Sequence, residues 1–191
     1  MLENYTSGQT MFELMQKLFP ICRSITGNGV RKTLKILSEH IPLEIHEIKT
    51  GTKIFDWNVP MEWNIKDAYI KSNKGEKIID FKNSNLHVLG YSIPIKKNLK
   101  LNKLKQHLYT IPEQPDVIPY KTSYYNKQWG FCLSHKQFLK LNDESYEVCI
   151  DSELKNGNLT YGEYFIKGKS TKEILFSSYV CHPSICNDAL S

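Results

Sequence analysis

His182, Asn187 and Asp188 stand close together in the stretch Tyr179-Val-Cys-His-Pro-Ser-Ile-Cys-Asn-Asp-Ala-Leu-Ser191. An imidazole nitrogen and a carboxylate oxygen both bind zinc at about 2.0–2.2 Å. An aspartate can bridge two such ions, and a pair roughly 3.5–4 Å apart polarises a carbonyl group for hydrolysis. Residue types alone leave other readings open. A histidine at a strand end is commonly a hydrogen-bonded structural residue, and an Asn-Asp pair is commonly a helix cap. Cys181, His182 and Cys186 would make a thiolate metal site only with further ligands that the sequence does not display. Cys186 paired with His182 as a nucleophile lacks an orienting third group.

The elements that would position this loop follow from periodicity. The apolar, β-branched and aromatic run Ile174 to Val180 predicts a buried strand, and in open α/β sheets sites form outside the carboxyl ends of strands. Upstream, Tyr146 to Ile150 and Leu159 to Lys167 read as strands, the second following an Asn156-Gly157 turn and pairing hairpin-like with the terminal run. At the start, Thr10 and Glu13 fit a capping box for a helix with Met11, Leu14, Met15, Leu18 and Phe19 on one face, ended by Pro20. A polar, glycine-bearing turn, Ile21 to Gly29, precedes a second helix with Val30, Leu34, Ile36, Leu37 and Ile41 inward. That turn lacks the Gly-Lys-Ser/Thr of a phosphate loop and reads as a plain connection. Pro42 closes the helix, and Leu43 to Ile48 alternates as a strand does.

From Gly51 onward the pattern changes to short strands at close spacing, at Ala68 to Lys71, Lys77 to Phe81, Leu86 to Ser92, Lys121 to Tyr125 and Phe131 to Ser134. Short helices are predicted near Leu101 to Leu108 and Lys136 to Leu141. The expected architecture is an α/β domain formed by residues 1–50 and 155–191, interrupted by a β-rich inserted domain at 51–154. Trp57, Trp63, Tyr120, Tyr124, Tyr125, Trp129 and Phe131 gather in the insert, as core or as a stacking platform. Glu113, in a proline-rich turn, and His135 are candidate cleft-lining residues, together with Ser184 and Asn187.

Composition bounds the function classes. At 191 residues and 40% hydrophobic content the chain can build a real core. The net charge of +5 comes from 25 basic against 20 acidic residues. The basic residues are scattered lysines, densest from Lys96 to Lys105, with Arg23 and Arg31 as the arginines, so a solvated surface is expected and nucleic acid is not. The opening residues lack the pattern of a signal peptide, and no apolar run approaches about 18 residues; a cytoplasmic protein without a membrane partner is expected. Five cysteines without regular spacing argue against a disulfide framework, and Cys22, Cys132 and Cys149 read as small buried residues.

Several segments in order carry a resemblance: Phe19-Pro-Ile-Cys-Arg-Ser-Ile-Thr-Gly-Asn-Gly29, Ile54-Phe-Asp-Trp-Asn-Val-Pro-Met-Glu-Trp-Asn-Ile65, His107-Leu-Tyr-Thr-Ile-Pro-Glu-Gln-Pro115, Thr122-Ser-Tyr-Tyr125, Trp129-Gly-Phe-Cys-Leu-Ser-His135 and Tyr179-Val-Cys-His-Pro-Ser184. Together they resemble a bacterial family of aminopeptidase-like proteins, similar to the co-catalytic zinc exopeptidases, with an inserted domain of unknown function and a C-terminal winged helix. The resemblance implies an incomplete zinc-exopeptidase-like sheet and the N-terminal half of a longer protein. It implies two zinc ions in the whole protein and a peptide-like or aminoacyl substrate. His182 then matches the first zinc ligand and Asp188 the bridging one. The family pattern places an Asp two residues after the ligand His to orient the imidazole, and Ser184 stands there instead. A general-base Glu, the other carboxylate ligands and a final His would lie after Ser191, so the 191 residues alone are expected to be inactive. A non-catalytic binding or regulatory protein on a peptidase scaffold, linked to bacterial polysaccharide metabolism, is the alternative.

Overall fold

The computed structural model describes residues 7–142 and 144–183, and the chain divides into two compact units, residues 1–59 with 157–191 and residues 60–156. The architecture is mixed α/β with small sheets.

The first unit opens with helix α1 (Ser7–Leu18). Thr10 therefore lies inside the helix rather than at its cap. Glu13 accepts a hydrogen bond from the Gln9 side-chain amide one turn earlier, at 3.3 Å, instead of closing a capping box. Leu18 is fully buried, with Leu14 and Met15 packed beside it, whereas Met11 and Phe19 are exposed. Helix α2 (Asn28–Leu37) buries Val30, Leu34, Ile36 and Leu37, the spacing expected for one inward face; Ile41 lies beyond the helix and is exposed. Each such side chain contributes about 1.5–3 kcal/mol on leaving water. Leu18, Ile36 and Leu37 form one core cluster, with Ile21, Leu43 and Val180 against it.

Strand β1 (Glu44–Lys49) is joined by a short hairpin, β2 (Lys53–Ile54) and β3 (Trp57–Asn58), whose turn is tied back by the Gly51 N–H to the Val59 carbonyl, at 2.8 Å. The aromatic segment that begins at Gly51 thus folds onto the end of β1.

In the second unit, β4 (Glu62–Lys71), β5 (Lys77–Asp80), β6 (Ile95–Lys100) and β9 (Ser145–Lys155) form an antiparallel sheet in the order β5-β4-β9-β6. Tyr146, Val148, Ile150 and Ser152 alternate inward along β9, facing Ala68 and Ile70 of β4 in register. At the β6 edge Lys96 and Lys97 are exposed, and charge on an edge strand discourages pairing with another chain. Helix α3 (Leu101–Leu104) follows β6, and β7 (Leu108–Tyr109) pairs in parallel with β8 (Phe131–Cys132). Helix α4 (His135–Leu139) starts with a capping box between Ser134 and Gln137.

Residues 86–92 do not form the expected strand. A 3₁₀ turn (Asn85–His87) is capped by Ser84, and only isolated bridges follow, at Val88 and Gly90. Residues 121–125 likewise contribute a single bridge at Thr122. The Ser92 hydroxyl donates to the Leu89 carbonyl at 2.6 Å and accepts from the Gly130 N–H at 3.3 Å, so side-chain bonds replace a ladder.

The terminal region departs furthest from expectation. Strand β10 (Asn158–Glu163) pairs antiparallel with β1 and stops where β1 runs out, Glu44 facing Glu163. Ile174 to Val180 forms no strand: Ile174, Leu175 and Phe176 are 83%, 90% and 89% exposed. A strand needs a ladder partner to satisfy its main chain, and among the described residues none pairs with this run. Among the described residues, no helix is long and apolar enough to cross a membrane.

His87 supplies a pH test of the second unit. Its ring is buried, Nδ1 donates to the Cys132 carbonyl at 2.8 Å, and burial holds its pKa below the ordinary imidazole value, against the opposing pull of that carbonyl and of Asp80. The unfolded chain takes up the proton first, so the stabilisation is fully present above the unfolded value of about 6.5 and is lost as pH falls towards the lower folded value. Thermal midpoints measured across this window should fall for the wild type and fall less for His87→Asn, which keeps a side-chain N–H for Cys132 but cannot take up a proton.

Candidate functional site

The site begins at the end of α1. Pro20 stops the helix, and the turn that follows is drawn tightly against the start of α2. Gly27 adopts φ +90°, which glycine alone takes at no steric cost, and the next helix begins directly after it. At Gly29 the reason for glycine is proximity, because a Cβ there would lie 1.9 Å from the Cys22 carbonyl oxygen. The Ser24 hydroxyl donates to the Thr26 carbonyl at 2.7 Å, and Thr26 bridges to Leu159 of β10.

This arrangement buries Arg23 to 3% exposure. Its Nη1 donates to the Leu18 carbonyl at 2.6 Å, at the carbonyl-rich and therefore electronegative end of α1. Its Nε donates to the main-chain carbonyl of His182 at 3.1 Å. Sequence reasoning placed Arg23 only in a plain turn. The available signal was its type, an arginine in a chain whose basic residues are otherwise almost all lysine.

Val180 reaches the core, and Cys181 and His182 follow partly buried, with Pro183 buried. Nδ1 of His182 lies in hydrogen-bonding contact with the Pro183 carbonyl oxygen. A carbonyl only accepts, so Nδ1 carries the hydrogen, and in the neutral ring Nε2 is then the nitrogen with the lone pair. Metal-ligating histidines have this arrangement, one ring nitrogen donating to a carbonyl or carboxylate and the other facing the ion.

Burial disfavours the thiolate form of several cysteines. Burial pushes Cys22 up to about 12 against the opposing charge of Arg23, and it pushes Cys181 up as well. Cys132 is fully buried and also pushed up to about 12 by burial. Cys22, Cys132, Cys149 and Cys181 are all free thiols, and Cys22 and Cys149 are partly buried.

Ser184, Cys186, Asn187 and Asp188 lie outside the described residues. Among the described residues no group of three His, Cys, Asp or Glu side chains is placed to hold a metal. Glu113 and His135 belong to the second unit. Glu113 is exposed in a turn. His135 opens α4, where its Nδ1 and the Thr110 hydroxyl are 3.1 Å apart and its ring stacks on Phe138 with centroids 5.7 Å apart.

Three of the seven aromatics noted in the sequence are core. Trp63, Trp129 and Phe131 are buried, Trp63 stacks on Tyr91 and donates its indole N–H to the Ser92 carbonyl at 3.0 Å, and Trp129 stacks on His107 at 3.7 Å. Tyr120 and Tyr125 are exposed. Trp57 sits half-buried in the β2–β3 hairpin of the first unit.

Residues 62–153 match a family model described as a domain of unknown function, DUF2172. Over 185 residues the chain is 60% identical to a Clostridium acetobutylicum protein whose name marks it provisionally as a polysaccharide biosynthesis protein with an aminopeptidase-like domain. The match covers 97% of this chain and 43% of that protein, so the chain spans less than half the length of its relative. A crystal structure from the same organism, named provisionally as a peptidase, superposes with a TM-score of 0.92 at 60% identity, covering 96% of this chain and 44% of the other. The fold is therefore shared with a protein named as a peptidase.

Proposed function

We propose that the whole protein is a zinc-dependent, aminopeptidase-like hydrolase and that this chain carries the opening part of its metal site. The observation that carries the reading is the His182 ring, with Nδ1 donating to the Pro183 carbonyl, a contact that in the neutral ring leaves the lone pair on Nε2. His182 would hold the metal through Nε2, and Asp188 would supply a carboxylate. The donor chemistry of His182 fits zinc, and the remaining ligands would come from beyond the described residues. When bound, the metal would act as a Lewis acid on a substrate carbonyl. What the chain itself does is fix the imidazole tautomer and hold the loop's main chain through Arg23. The relatives' names support the peptidase class, and a peptide-like or aminoacyl compound is the proposed substrate.

The test uses the full-length protein with a panel of aminoacyl anilides, assayed as purified, after chelation and after zinc is restored. Hydrolysis should be lost on chelation and recovered with zinc. Undiminished hydrolysis by the metal-free protein would refute the assignment. The polysaccharide wording in the relative's name favours one second reading, a non-catalytic protein acting in polysaccharide metabolism. It predicts no turnover of any panel member by the zinc-loaded protein.

A further inference from the structure

We propose that Arg23 is a positioning residue for His182, its guanidinium fork fastening the main chain of the ligand loop to the end of α1. The inference rests on the reading of His182 as a metal ligand and adds a residue to it.

The argument starts from how the imidazole is aimed. A carboxylate side chain two residues after a ligand histidine can orient the ring by itself, because it reaches the ring from its own Cα. Here the acceptor facing Nδ1 is the carbonyl of Pro183, the residue next to the histidine. The ring's direction is then only as definite as the main chain at residues 182 and 183. Rotation of the peptide plane after His182 or Pro183 would carry the imidazole with it.

Arg23 supplies the fixed point. Its Nε donates to the His182 carbonyl at 3.1 Å and its Nη1 to the Leu18 carbonyl at 2.6 Å. One planar group thus ties two segments that are 159 residues apart, by the count between Arg23 and His182. The guanidinium is suited to this because its donors diverge from a rigid plane, whereas a lysine offers a point charge on a flexible stem. The side chain is buried, so the two carbonyls are not competing with bulk water for it.

The root of Arg23 is fixed as well. Gly29 lets the start of α2 sit directly on the Cys22 carbonyl, and Thr26 bridges to β10. The turn between the two helices is in this view a mount for the arginine. Val180 packs on Leu18, Ile36 and Leu37 just before the loop. The His182 main chain is therefore held on one side by an apolar contact and on the other by a charged hydrogen bond.

The test compares Arg23→Lys and Arg23→Ala in the full-length protein, with Leu34→Ala as a control that loosens the buried face of α2 without touching the fork, its carbonyls or the cluster under Val180. Cobalt(II) serves as the probe, read by its visible spectrum and by competition with a chelator, alongside thermal unfolding of the metal-free proteins. Loss of a group that orients a ligand typically weakens metal binding roughly 10–100-fold. Arg23→Lys and Arg23→Ala should fall in that range and show an altered cobalt spectrum, while Leu34→Ala should lose thermal stability and keep both the affinity and the spectrum of the wild type. Wild-type cobalt affinity and spectrum in Arg23→Lys would overturn the proposal. So would an equal loss in Leu34→Ala, or a failure of both Arg23 variants to fold, since either result would make Arg23 a residue of the fold alone. His182→Ala separates the two layers: unchanged cobalt binding in that variant would refute the ligand assignment itself, whatever the Arg23 variants do.

Discussion

In the full-length protein, His182→Ala should weaken zinc binding by roughly 100-fold or more and bring hydrolysis of aminoacyl substrates down with it. The figure follows from a comparison: replacing groups that merely orient a ligand costs about 10–100-fold, and removing the ligand costs more. The variant isolates the ring's contribution cleanly. The alanine keeps the main-chain carbonyl that Arg23 grips, and the His182 side chain is only partly buried, so the fold loses little. The thermal midpoint of the metal-free variant should stay close to that of the metal-free wild type. Zinc stoichiometry by elemental analysis and affinity by chelator competition are the measurements. Wild-type values for both would show that the imidazole is not a ligand, even if activity changed for another reason.

Gly29→Ala should produce a large loss of stability in the first unit. The added Cβ would meet the Cys22 carbonyl oxygen at 1.9 Å, its carbonyl carbon at 2.9 Å and the Arg23 Cα at 3.2 Å. All three are main-chain atoms, so no side-chain rotation relieves the collision, and the turn must move away from α2. Overpacking of a close contact costs about 1–3 kcal/mol and occasionally more. With no soft neighbour here, about 3 kcal/mol is expected, equivalent to a fall of roughly 10–25 °C in the unfolding midpoint of a domain of this size. Calorimetry of wild type and variant measures it. A change of less than a few degrees would mean that α2 is seated more loosely than the turn geometry says. Because the shift displaces the Arg23 root, the same variant should also weaken metal binding.

The parts of the fold written plainly in the sequence are those in which local period and packing agree. Val30, Leu34 and Leu37 mark the inward face of α2, and Tyr146, Val148 and Ile150 mark that of β9, at spacings only a helix and a strand produce. Elsewhere side chains competed with the ladder. Leu86 to Ser92 carries apolar residues suited to a strand, yet Ser84 and Ser92 bond to nearby main chain and turn the segment aside. The terminal run misled for the opposite reason: Ile174 to Val180 has the composition of a buried strand, but a strand's existence depends on a neighbour that composition cannot reveal.

The site divides the same way. His182 stands out as a candidate from its type and its neighbours. Arg23 does not, because its role is a contact with a carbonyl far along the chain, and every residue offers a carbonyl. The acceptor that meets Nδ1 was equally hidden, since it is main chain and carries no side-chain signature.

The run from Ile174 to Val180, exposed as far as Tyr179, also bears on how the chain behaves in concentrated solution. Ile-Leu-Phe-Ser-Ser-Tyr-Val contains no charge, no proline and no glycine, and it is rich in the β-branched and aromatic residues that stack into self-complementary cross-β assemblies. Lys172 and Glu173 on one side and Pro183 on the other have the character of gatekeepers, charge and ring constraint that interrupt such stacking. Those three flanking positions therefore bracket the segment on both sides with residues that oppose its stacking.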